Sequence, residues 1–143
     1  MDDIHEFVAG HKRHIDETVN LLKDTLGRIE IGSVEIMAVA TMLQNIYMGI
    51  ENILDHILRN VHGTRTDRGG AWHKELLKKA VAHDIISQGV HDMLREHLVF
   101  RHYHVHGYGY MLKWSEMKPL AENAEAAVAR FFAELTDRGY SKS

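Results

Sequence analysis

Cysteine is absent from all 143 residues. That excludes disulfides and thiolate zinc sites, and it fits a reducing cytoplasm. Proline occurs once, at position 119. Long helices can therefore run without the kink that a lost N–H and a ring clash would impose. No apolar run approaches the ~20 residues that cross a bilayer, so no membrane partner is expected. The start, Met1-Asp2-Asp3, is acidic and lacks the basic flank and apolar core of a signal peptide. A cytoplasmic location is the expectation. Strand-like alternation is scarce as well. What remains is 45% apolar and 26% charged residues, the balance of a globular chain that can bury a core. Residues 1–143 are expected to form a single helical domain.

The net charge of −3 does not advertise a nucleic-acid binder, but its distribution is uneven. Seven acids (Asp2, Asp3, Glu6, Asp16, Glu17, Asp24, Glu30) face four bases (Lys12, Arg13, Lys23, Arg28) over the first thirty positions. From Arg59 to Lys79 the balance reverses. Arg59, Arg65, Arg68, Lys74, Lys78 and Lys79 stand against Asp67 and Glu75. Such a region is either a polyanion-binding surface or an ordinary solvated loop and helix face.

Apolar spacing predicts a first helix over about Asp3 to Glu30, through Ile4, Val8, His11, Ile15, Val19, Leu22, Leu26 and Ile29. His11 on that stripe reads as a satisfied core or boundary histidine. Ile31-Gly32-Ser33 interrupts the pattern, with Ser33 as the expected cap. The second helix, about Val34 to His62, carries Ile36, Val39, Leu43, Ile46, Ile50, Ile53 and Ile57 in steps of three and four. Met37, Tyr47, Leu54, Leu58 and Val61 widen its apolar arc, so it should be central. Tyr47 and Glu51 form a polar pair one turn apart. They read either as a partly exposed edge or as a carboxylate that orients an arginine. Gly63 to Gly70 is a polar loop. A short helix follows from Trp72 to about Ala82, and a fourth from about Asp84 to His106. The last, about Glu116 to Arg138, has Ser115 as its expected cap and Pro119 near its first turn; Tyr140 onward is expected to fray. The fold class is all-α: an up-and-down bundle of four long helices with one additional short helix.

Chemistry concentrates in Arg101-His102-Tyr103-His104-Val105-His106-Gly107-Tyr108. Arginine is shaped to grip a phosphate bidentately, and histidine exchanges protons near neutral pH. Together they point to phosphodiester chemistry, with no cofactor or metal called for. Arg101 and His106 stand five residues apart, about 140° around a regular helix. Their convergence is allowed by Arg101's length and a helix stop at Gly107, but not forced. His106 at a helix C-terminus would be favoured in its charged form, which suits a general acid. Two other readings stay open: a zinc site using His102 and His106, which still wants a third ligand, and an accidental cluster of exposed imidazoles.

Arg-x4-His-x-Tyr, present as Arg101, His106 and Tyr108, resembles the signature of HepT-type toxins, a branch of the HEPN ribonucleases. The surroundings are similar too: Phe100-Arg101-His102, Tyr108-Gly109-Tyr110, Trp114 to Leu120, Ala71 to Leu77 and Tyr47 to Leu54. The likeness covers roughly residues 40 to 137. Val105 and Gly107 depart from the usual pattern without removing a group the chemistry needs. The resemblance implies a metal-independent RNA endonuclease in which Arg101 and His106 are catalytic. It implies a homodimer or larger assembly, because two protomers bring their Arg-His pairs to one groove. His102, His104 and Glu51 are candidate helpers. It also implies a partner, an MntA-type minimal nucleotidyltransferase antitoxin that places AMP on Tyr108. A catalytically idle subunit that presents RNA or nucleotide to such a partner is the alternative.

Overall fold

The computed structural model describes residues 2–28, 30–66, 69, 71–105 and 113–142, except for the side chains of 99–105. Five helices follow one another: α1 Asp2–Leu26, α2 Ser33–Asn60, α3 Trp72–Ala82, α4 Gln88–Val105 and α5 Trp114–Asp137. The described residues contain no strand. The fold is all-α, four long helices and a short one, as the periodicity requires. Among the described residues no helix is long and apolar enough to cross a membrane.

α2 is the hub and touches each of the other four helices. Its expected seam holds: Val39, Leu43, Ile46, Ile50, Ile53 and Ile57 are buried, with Ile36 at the margin. The flanking stripe splits. Tyr47, Leu54 and Leu58 are buried, whereas Met37 and Val61, towards the helix ends, are exposed. α1 lies most extensively against α2. Gly49 permits this contact, since a Cβ there would stand 2.9 Å from the Ile15 side chain. His11 is a boundary residue. Its Nδ1 lies 3.1 Å from the Phe7 carbonyl, and its ring stacks on Phe7, whose ring also stacks on His56 of α2.

Several boundaries differ from the sequence-based ones, each for a local reason. α1 stops at Leu26 rather than Glu30. At Gly27 and Arg28 the chain turns out, with the Arg28 N–H donating to the Thr25 carbonyl at 3.2 Å. Thr25 takes the last buried position, and its hydroxyl donates to the Leu21 carbonyl. Ser33 is not the cap of α2. Gly32 is, through backbone alone, its carbonyl accepting from the Ile36 N–H at 3.0 Å. α4 begins at Gln88, not Asp84. Asp84 adopts a left-handed φ of 55°, and the Ile85 N–H reaches back to the Ala80 carbonyl at 2.8 Å. Ile85 and Ile86 are therefore core residues of a turn rather than of a helix.

Ser87 caps α4, its Oγ accepting from the Val90 N–H at 3.2 Å. Its own N–H and hydroxyl donate to Glu134 of α5 at 2.8 and 2.6 Å. α5 begins at Trp114 behind an extended Lys113, so Ser115 is inside the helix and does not cap it. Pro119 lies in the second turn, where its missing N–H deprives the Ser115 carbonyl of a helical partner. The chain beyond Asp137 does not fray at Tyr140. Gly139 takes φ 83°, the Gly139 N–H donates to the Thr136 carbonyl, and the Tyr140 N–H donates to the Leu135 carbonyl. That is a Schellman stop. Tyr140 is buried, its hydroxyl is 2.9 Å from His62 Nε2, and the His5 Nε2–H donates to the Gly139 carbonyl.

Candidate active site

Polar groups gather in the seam where α2, α3 and α4 meet. α2 contributes Tyr47 and Glu51, only 1% and 2% exposed. The reading of this pair as a partly exposed edge is thereby overturned: the wide apolar arc of α2 carries both inside. On α3, Trp72 is buried and His73 half-buried. The His73 Nδ1–H donates to Glu51 Oε2, forming an ion pair when the ring is charged. Trp72 meets the His73 ring edge-on at a centroid distance of 4.7 Å. From α4 comes His97, 6% exposed and near-parallel to the Tyr47 ring at 6.5 Å. Burial pushes its pKa down to about 4. His97 is therefore neutral at physiological pH and too weak a base to carry protons there.

The Glu51–His73 contact ties α2 to α3 beside α4. A carboxylate bonded to an imidazole N–H in a poorly hydrated seam makes a strong, orienting interaction. Arg101 follows His97 on α4 by four residues, one helical turn farther along. His102 and His104 occupy the same last turns of α4. The side chains of Arg101, His102 and His104, and the whole of His106 and Tyr108, lie outside the described residues. The expected convergence of Arg101 on His106 and the zinc alternative both fall there. The described residues contain no cluster of three or more His, Asp or Glu able to hold a metal ion.

The sequence reading missed His73. A signal was present, because His73 precedes Leu77 by one turn and so lies on the buried side of α3. Its partner is on another helix, and spacing within one helix does not reveal such a pair.

Residues 38–138 match the family described as HepT-like protein. The chain belongs to the HepT-like family of HEPN proteins. The HepT-like stretch begins inside α2, runs through α5 and leaves out α1. It includes Tyr47, Glu51, His73 and His97, and it includes the Arg101, His106 and Tyr108 motif. No curated protein and no solved structure matches the chain.

Proposed function

We propose that this HepT-like protein is a metal-independent RNA endonuclease, the toxin of a HEPN–nucleotidyltransferase pair. The observation that carries the reading is the family match, which spans an intact Arg-x4-His-x-Tyr motif. The substrate is RNA, transfer or messenger, met in the cytoplasm, and the chain acts as one helical domain. The 2′-oxygen attacks the adjacent phosphorus while a base takes its proton. A 2′-O–P bond forms, the P–O5′ bond breaks, and an acid returns a proton to the leaving 5′-oxygen. The products carry a cyclic phosphate and a free 5′-hydroxyl. Arg101 holds the charge that builds on the non-bridging oxygens. His106 handles one proton and the partner protomer's equivalent histidine the other. Such a division requires a homodimer at least.

Glu51 and His73 position rather than react: they hold α3 and α2 in place against the helix that carries Arg101. AMP transferred to Tyr108 by an MntA-type nucleotidyltransferase would put a negative phosphodiester two residues from His106 and repel the RNA backbone. The alternative is an idle subunit that presents RNA or nucleotide to that nucleotidyltransferase. The net charge of −3 favours it mildly.

The test is cleavage of total transfer RNA in the presence of chelator, with end-group analysis. Wild type should leave cyclic phosphate ends. Arg101→Ala and His106→Ala should each lose at least ~10²-fold in rate, the scale of one general acid–base or oxyanion contact, with helicity unchanged. Wild-type activity in both variants would refute the site. A silent, unmodified wild-type dimer would leave the idle subunit as the better reading.

A further inference from the structure

We propose that α3, with Arg65 held beside it, forms a cationic rail that contacts RNA phosphates, with Arg65, Lys74 and Lys78 as its outward charges. The inference rests on RNA being the substrate and says where RNA lies before it is cut. Lys74 and Lys78 are exposed on α3, four residues and ~6 Å of helix axis apart. The opposite side of α3 is committed to the core through Leu76, Leu77 and Ala80, so the lysine face cannot turn inward. The Glu51–His73 bond fixes the first turn of the helix. Lys79 Nζ donates to the Arg65 carbonyl at 2.7 Å and anchors the exposed Arg65 beside α3.

These cations are largely uncommitted. Arg65 and Lys74 make no ion pair among the described residues, and Lys78 only a loose 3.9 Å contact with the exposed Glu75. Such a contact is weak in water. Two lysines of α1 are matched more closely, Lys12 with Asp16 at 2.6 Å and Lys23 with Glu125 at 2.8 Å. α1 presents the opposite sign to solvent through Asp2, Asp3, Glu6, Glu17 and Asp24. A polyanion approaching a molecule of net charge −3 is turned away from α1 and towards α3. α3 packs directly on α4, the helix that carries Arg101. Phosphates held on the rail are therefore one helix away from the cleavage motif.

The experiment measures binding of total transfer RNA to His106→Ala protein, kept intact by the missing proton carrier, across a salt series. Lys74→Gln/Lys78→Gln on that background should raise Kd roughly tenfold. It should also make the slope of log affinity against log salt shallower by about two, one for each lost phosphate contact. Lys118→Gln/Lys142→Gln removes the same net charge elsewhere and should change neither. An unchanged Kd and slope in the α3 pair, or an equal loss in the control pair, overturns the rail. Cleavage by the otherwise wild-type enzyme separates the two proposals. If the α3 pair leaves KM and kcat untouched, the rail falls and the nuclease stands. If wild type does not cut while the α3 pair still weakens binding, the rail stands and the nuclease falls.

Discussion

Burial changes the chemistry of His97. An imidazole on α4 that faces the Tyr47 ring has little water to stabilise a charge, and its pKa falls to about 4 from an ordinary 6.5. Between those two values the unfolded chain binds a proton that the folded chain refuses. Stability therefore falls as pH drops through that window and recovers as pH rises above it. By about pH 5 this one group costs on the order of 2 kcal/mol. His97→Phe should remove that part of the acid sensitivity, measured as the change in urea-unfolding free energy between about pH 7 and 5 for variant against wild type. An equal pH dependence in both would assign the effect elsewhere. The wide apolar arc of α2 correctly predicts burial there, yet the same arc takes in Glu51, a carboxyl that His73 of α3 meets with a hydrogen bond.

Helix ends depend on chemistry that apolar periodicity does not encode. The apolar stripe of α4 is continuous from Ile85 in the sequence, yet the helix starts only after Ser87. The left-handed Asp84 and the cap decide the point. Ser87 also joins α4 to α5 through Glu134, so one small residue sets both the start of a helix and its docking. Ser87→Ala removes the cap and one of the two bonds to a part-buried carboxylate. The expected loss is about 1–2 kcal/mol of unfolding free energy, read by urea or thermal denaturation. A loss within a few tenths would mean that the backbone bond from residue 87 to Glu134 suffices. Tyr140 teaches the same lesson at the other end of the chain. It lies beyond the last helix in sequence and belongs to the core in space, because Gly139 turns the backbone and His62 receives the phenol.

For the whole molecule, the proposed chemistry needs two protomers, since one His106 cannot both take and give a proton in a single step. Cleavage should then depend on assembly. Below the dimer dissociation constant, rate per protomer should fall in proportion to protein concentration, checked by initial rates against sedimentation over the same range. A rate per protomer that stays constant into the monomer range would refute the shared site. The all-α class, the central place of α2 and the extent of α3 are legible in the sequence because they follow from local periodicity: apolar residues every three or four positions commit a helix to one buried face whatever packs against it. So is the Arg101, His106 and Tyr108 motif, because its residues are close along the chain. Other features required the tertiary structure. The burial of the Glu51–His73 pair, the neutrality of His97, the Ser87–Glu134 tie and the lock on Tyr140 each join groups on different elements. The energy of a charge or a hydrogen bond is set by what surrounds it, and in this protein those surroundings come from helices distant in sequence.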